Sequence, residues 1–281
     1  MKYKVIGVGE ILWDLLPSGK QLGGAPTNFA YHAHALGAEA LIVSRVGSDP
    51  LGREILDRLR VLGLPTNGIG VDDTAPTGTV TVEVQPDGQP RFTIHENVAW
   101  DRIEAVENAQ ADAICFGTLA QRCPASRNAI RRNISGTRAS ALRVFDINLR
   151  QQFYSRDIIE SSLGLANALK LNDAELPVLA AMFGLDGGAR AQLAALARRF
   201  DLRAVALTRG AAGSLLLANG VWSEHAGIRV KVVDSVGAGD AFTAAWTLGL
   251  LAGQPLDTIN QRANEVAAFV CTQSGATPVY S

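Results

Sequence analysis

A chain of 281 residues, 47% of them apolar and 19% charged, carries enough apolar mass for a large core, which excludes disorder as its main state. Its 26 Lys and Arg against 27 Asp and Glu leave a net charge of −1, with no basic excess to neutralise a phosphate backbone, so a nucleic-acid binder is excluded. The length suits about two ordinary domains or one large α/β domain.

The opening run Val5-Ile6-Gly7-Val8-Gly9 is too short and Gly-rich for a secretory leader. Lys4–Val8 reads instead as the first of several buried strands, followed by Leu41–Arg45, Ala113–Phe116, Leu142–Phe145, Ala168–Leu171 and Arg203–Leu207. Helical patterns lie between them at Pro26–Leu36, Leu51–Leu62, Ala125–Ile134, Asp173–Met182 and Ala189–Phe200. Such alternation predicts a mostly parallel sheet with helices on both faces, where ligands sit beyond the carboxyl ends of the strands.

One stretch breaks the alternation. Thr79–Val84 reads T-V-T-V-E-V, Pro86-Asp87-Gly88-Gln89 is a turn signal, and Arg91–His95 alternates again with Phe92 and Ile94 on one face. A lone hairpin is marginal in water, so its apolar face is expected to cover an active site or a second subunit. A second antiparallel cluster is predicted at Ser214–Leu217, Val221–His225 and Arg229–Val233. Ala241–Gly253 is apolar but interrupted by Thr243 and Thr247, and falls short of the roughly 20 residues a membrane span needs. It reads as a buried helix. Cys115, Cys123 and Cys271 match neither a disulfide framework nor a zinc spacing, and the expected compartment is the cytoplasm.

The strongest chemical signal is Asp234-Ser235-Val236-Gly237-Ala238-Gly239-Asp240 before that apolar helix. Small residues at Gly237, Ala238 and Gly239 let backbone N–H groups approach an anion, and the helix start adds positive potential. Asp240 then stands beside the anion as a carboxylate able to take a proton. The plainer reading is a Gly-rich loop whose Asp satisfies a helix N-terminus. Neither Gly237 nor Gly7 opens a dinucleotide fingerprint, because Phe242 and Leu12 stand where its third glycine belongs, and no Walker loop occurs. The second signal is Gly23-Gly24-Ala25-Pro26-Thr27-Asn28, in which Pro26 suits a helix start and Asn28 offers both a donor and an acceptor to a polyol.

Together these segments resemble the ribokinase-like (PfkB) sugar kinases over nearly the whole chain. Gly47-Ser48-Asp49-Pro50-Leu51-Gly52, Asn172-Asp173-Ala174-Glu175 and Thr208-Arg209-Gly210-Ala211-Ala212-Gly213 are similar to the family's intervening motifs, in order. Gly9-Glu10-Ile11-Leu12-Trp13-Asp14, Asn97-Val98-Ala99 and Asp146-Ile147-Asn148-Leu149-Arg150 most resemble the fructokinase and 2-keto-3-deoxygluconate kinase branch. The resemblance implies one domain over 1–281, a three-layer mostly parallel sheet, and a small β lid from segments near 10–24 and 77–100. It implies transfer of the γ-phosphate of ATP to a sugar hydroxyl with Mg²⁺, fructose being the expected sugar. Asp240 becomes the base, and Gly237, Ala238 and Gly239 the anion hole. Asp14, Gly23, Gly24, Asn28, Asn97 and Arg150 are expected at the sugar. Asn172 and Glu175 are expected at Mg²⁺ and phosphates, Thr208, Gly210, Gly213 and Asn264 at the nucleotide, and Asp234 at a K⁺ ion. Ser235 replaces the family's usual Thr and keeps the hydroxyl. A homodimer through the lid is a further expectation. Trp13 suits a sugar face or the core equally. His32 and His34 point to different helix faces and make no metal pair.

Overall fold

The computed structural model describes residues 2–17, 19–84, 90–106 and 110–280. Its strands, in chain order, begin with β1 (Lys4–Val8), β2 (Leu12–Leu16), β3 (Gly19–Gly23), β4 (Glu39–Gly47), β5 (Ile69–Asp72), β6 (Gly78–Val84) and β7 (Pro90–Ile94). They continue with β8 (Ala113–Phe116), β9 (Leu142–Asp146), β10 (Ala168–Asn172), β11 (Ala204–Thr208), β12 (Ser214–Ala218) and β13 (Val221–His225). The helices are α1 (Ala25–Ala35), α2 (Pro50–Val61), α3 (Pro124–Ser135), α4 (Arg156–Leu165), α5 (Glu175–Phe183), α6 (Ala189–Arg199), α7 (Ala238–Leu251) and α8 (Leu256–Cys271).

Nine strands form the main sheet in the order β13-β12-β11-β10-β9-β8-β1-β4-β5. It is parallel from β11 to β5, and β12 and β13 add an antiparallel edge. The central strands are buried on both faces, which is why they read as continuous apolar runs rather than alternating ones. Ile130, Ile159, Leu179 and Leu193 of α3 to α6 pack on one face. Phe29, Ile55, Phe242 and Val266 of α1, α2, α7 and α8 pack on the other. This is the predicted three-layer α/β architecture.

A four-stranded sheet, β3-β2-β6-β7, stands beside it. The hairpin's apolar face is largely covered by the chain itself: Val80, Val82 and Ile94 join a cluster with Leu12, Val98, Trp100 and Ile103, while Phe92 stays 52% exposed. Gly78 is required there, since a Cβ would overlap the Trp100 indole nitrogen. The expected turn at 86–89 and the side chain of Arg91 lie outside the described residues.

The predicted strand Arg229–Val233 does not form. The segment has no ladder partner; Val232 and Val233 are exposed, and the Val233 N–H donates to the Cys271 carbonyl at 2.8 Å. β-branched composition alone does not make a strand where no sheet edge receives it. Helix α4, whose apolar face is short, escaped the periodicity, and so did α8. Among the described residues, no helix is long and apolar enough to cross a membrane.

Candidate active site

The carboxyl ends of β1, β9, β10 and β11 and the start of α7 converge on one place. Gly237 caps α7 with φ 80°, and a Cβ on it would meet Ala276 at 2.8 Å, so only glycine turns the chain here. The first-turn N–H groups of α7 have no partner within the helix, where its dipole is positive; that of Ala238 donates to the Ser235 carbonyl at 3.3 Å.

Asp240, in that first turn, is half-buried, and its Oδ2 accepts a hydrogen bond from Asn28 Nδ2 at 2.8 Å. Burial, reinforced by the nearby Asp146 carboxylate, pushes Asp240 up to about 7; the Asn28 amide, Lys170 and Arg150 oppose it. Asn28 is buried on α1, and its Oδ1 has no protein partner. An amide with its nitrogen committed to Asp240 and its oxygen unspent is suited to accept a hydrogen bond from a hydroxyl beside that carboxylate.

Two residues fix the start of α1. Ala25 N–H donates to Glu10 Oε1 at 3.3 Å, and Thr27 Oγ1 donates to the Glu10 carbonyl at 3.2 Å. Glu10 replaces the side-chain cap that Gly24 cannot supply. Its own carboxyl is buried and pushed up to about 7. Asp14 sits on β2 between Gln21 of β3 and Val80 of β6. A Cβ on Gly23 would overlap Asp14 Oδ2, so the glycine leaves room for the carboxylate. Burial pushes Asp14 up to about 6, with Arg150 pulling it down and Asp234 pushing it up.

Arg150 follows β9 on a turn where Asn148 and Gln151 both take positive φ, 44° and 46°. It is exposed, donates to the Leu149 carbonyl at 3.0 Å, and makes no ion pair among the described residues. Its charge is felt at Glu10, Asp14 and Asp240 alike. Asn97 lies in the turn after β7 with φ 58°; it is exposed, and no hydrogen bond brings it to Asp14, Asp240 or Arg150. Trp13 resolves to the core: it is buried and its indole N–H donates to the Leu51 carbonyl at 3.1 Å, pinning the small sheet to α2.

A second side of the cleft is built at the ends of β10 and β11. Asn172 Oδ1 accepts from the N–H groups of Ala174 and Glu175, each at 2.9 Å, and starts α5. Thr208 ends β11, and Gly210 and Gly213 turn the chain into β12. Asn264, expected at the nucleotide, packs between α8 and β12. Its amide nitrogen is spent on Ser214 Oγ at 2.7 Å and the Asn260 carbonyl at 2.8 Å, so it ties α8 to β12 and has no donor left for a base.

Glu175 and Asp234, expected at Mg²⁺ and K⁺, both hold backbone N–H groups. Glu175 is buried, and its two oxygens accept the N–H groups of Leu149 at 2.9 Å and Asn172 at 2.8 Å. Asp234 likewise accepts from Val236 N–H at 3.0 Å and Gly275 N–H at 3.1 Å. Among the described residues, no group of three His, Cys, Asp or Glu side chains is arranged to hold a metal. This donor set fits a hydrated Mg²⁺ carried mainly by phosphates, with Glu175 and Asn172 shaping its place, better than a protein cage.

Sequence reasoning missed one feature outright. Lys170 and Asp146 form a buried ion pair at 3.1 Å beneath the α7 loop. An apolar strand holding a lysine was the available signal.

Residues 18–280 match the model of the pfkB family of carbohydrate kinases, and the chain belongs to that family. It is 29% identical to a fructokinase of Klebsiella pneumoniae, over 98% of this chain and 95% of the relative. It is 30% identical to a 2-dehydro-3-deoxygalactonokinase of Haloferax volcanii, over 90% and 82% respectively. The crystal structure of the sugar kinase PH1459 from Pyrococcus horikoshii in complex with ATP superposes with a TM-score of 0.80 at 27% identity, covering 97% of this chain and 94% of that one.

Proposed function

We propose that this sugar kinase transfers the γ-phosphate of ATP to a hydroxyl of a neutral ketose, and we assign fructose as that sugar. The observation that carries the reading is Asp240: a carboxylate with its proton affinity raised to about 7, at the mouth of a helix N-terminus, braced by Asn28. In this reading, Asp240 takes the hydroxyl proton as the sugar oxygen attacks phosphorus, and ADP leaves. The N–H groups around Gly237, Ala238 and Gly239 meet the charge on the transferring group. Asp14, Gly23, Gly24 and Asn28 hold the sugar, with Asn97 at the rim. Thr208, Gly210 and Gly213 line the nucleotide. Asn172 and Glu175 would help to hold a Mg²⁺ ion, which would supply neutralisation of phosphate charge. A K⁺ ion near Asp234 would share a carboxylate that already ties the anion loop to Gly275. The chain works as one domain over 1–281, with the small sheet as a lid that keeps water from competing as acceptor.

A neutral sugar is favoured because Asp14 and Asp240 bring two carboxyls to the cleft, with the exposed Arg150 the cation felt at both. The named relatives include both a fructokinase and an acid-sugar kinase, and Arg150, without an ion-pair partner, supports the second reading: its planar fork suits a substrate carboxylate. ADP release measured with fructose, ribose, 2-keto-3-deoxygluconate, adenosine and inosine separates the two. Fructose is expected to lead; a preference for the keto acid above about tenfold in kcat/KM, roughly 1.4 kcal/mol, overturns the assignment.

A further inference from the structure

We propose that Lys170 is a positioning residue for phosphoryl transfer: its ammonium, paired with Asp146, backs the anion loop from beneath and sets the charge balance in which Asp240 works. The inference rests on Asp240 being the base.

Four observations place it there. Lys170 lies on β10, inside the sheet, where a charged side chain is costly unless it is paired. Its Nζ donates to Asp146 Oδ1 at 3.1 Å. The other carboxylate oxygen of Asp146 accepts from Thr243 Oγ1 at 2.9 Å, and that hydroxyl also lies 2.9 Å from the Gly239 carbonyl. The pair is therefore wired to the first turn of α7. Finally, a Cβ on Gly239 would come within 3.1 Å of Lys170 Nζ, so the ammonium presses directly against the loop residue and even alanine would crowd it.

An ammonium has three N–H donors, and the protein fills one here. Two donors remain, and Nζ borders the loop residue Gly239, so positive charge adjoins the place where negative charge develops. Structure alone would be served better by two apolar side chains, since a buried ion pair seldom repays its desolvation. The groups facing Asp240 are Asp146 from β9, Lys170 from β10, Arg150 from the loop after β9 and the neutral Asn28 amide from α1. Glu175 from α5 faces Lys170. Cys115 on β8 also lies within reach of Asp146, Asp240 and Glu10, and burial holds its thiol neutral.

The charges make opposite predictions for the two partners. Lys170→Met removes a cation and leaves Asp146 bare, so Asp240 holds its proton more tightly. Asp146→Asn does the reverse. In the full enzyme, K170M is expected to lower kcat about 100-fold, with both KM values within about threefold. The acid limb of its kcat profile is expected to move up by about one pH unit, and that of D146N to move down. The double variant K170M/D146N leaves no unpaired charge; it is expected to return the limb to within about half a unit of wild type while kcat stays at least about tenfold low. Melting curves identify which variants fold. A folded K170M with kcat within about twofold of wild type overturns the proposal, as do limbs that move in the same direction. If K170M fails to fold, the double variant decides, and wild-type kcat in it overturns the proposal. Asp240→Asn in the same assay keeps the questions apart: full turnover there removes the base, whereas an inactive D240N beside an unaffected K170M removes only the role of Lys170.

Discussion

The two sheets of this molecule are held by different forces. At the carboxyl ends of the main sheet, charged and polar side chains brace one another: the buried ion pair of Lys170 with Asp146, Thr243 on Asp146, and Asn28 on Asp240. The small sheet is tied to the body by apolar packing of Val80, Val82, Ile94 and Trp13 and by a few polar contacts, some of them exposed. Gln151 donates to the Phe92 carbonyl at 2.7 Å, Lys20 pairs with Glu54, and Trp13 donates to Leu51. Buried charges in low dielectric are stiff and strongly coupled, whereas exposed ties are weak and easily remade. Rate is thus expected to depend on the first region and substrate affinity on the second.

The largest test of that division is Asp240→Asn. Loss of a general base lowers kcat by about 10²- to 10⁴-fold, and nucleotide binding should persist. Wild-type activity should fall as pH drops below about 7, because the base must be ionised and burial raises its pKa to that value. The stability effect has the opposite sense. A carboxyl raised in the folded state favours folding at low pH, and that advantage is lost as pH rises through about 7. D240N should therefore raise the melting temperature relative to wild type at pH 8 and do so less at pH 5. A mutant that keeps more than about a tenth of turnover, with chemistry rate-limiting, breaks the assignment.

Asp14→Ala probes the other side. A buried, charge-assisted hydrogen bond is worth about 1.5–3 kcal/mol, so the sugar KM should rise about 10- to 100-fold while the ATP KM stays close to wild type. Equal changes in both would place Asp14 with the phosphates and erase the contrast between the sheets.

Arg150 stands between the regions, and its replacement by Lys should have the smallest effect. With a neutral ketose, kcat should fall by about tenfold and the sugar KM should move little, because the lost contact is to phosphate. A rise confined to the sugar KM sharpens the alternative, with the guanidinium on a substrate carboxylate.

Much of this was legible in the sequence. The strand-loop-helix step at Val233 to Phe242, the helix start at Pro26 and the hairpin at Thr79 to His95 are all local events. Each is encoded by residues adjacent in the chain: glycines where backbone must turn, proline at a first helical turn, alternation where a strand has one wet face. The motifs placed Asp240, Asn28 and Asp14 near the sheet's carboxyl edge before any coordinates.

What the tertiary structure decided is which of these groups meet and in what electrostatic state. Asn28 and Asp240 are 212 residues apart and share a hydrogen bond; Lys170 and Asp146 become an ion pair only because β9 and β10 are neighbours. Glu175 carries a motif position, yet its carboxylate oxygens hold backbone N–H groups, and the Asn264 amide nitrogen is bonded to Ser214. Arg229–Val233 has strand composition and no edge to join. Local preference acts between chain neighbours and is written in the sequence, whereas desolvation and pairing depend on everything folded around a group, so the chain alone singled out Asp240 as the proposed base and only its burial raised that carboxylate's proton affinity to about 7.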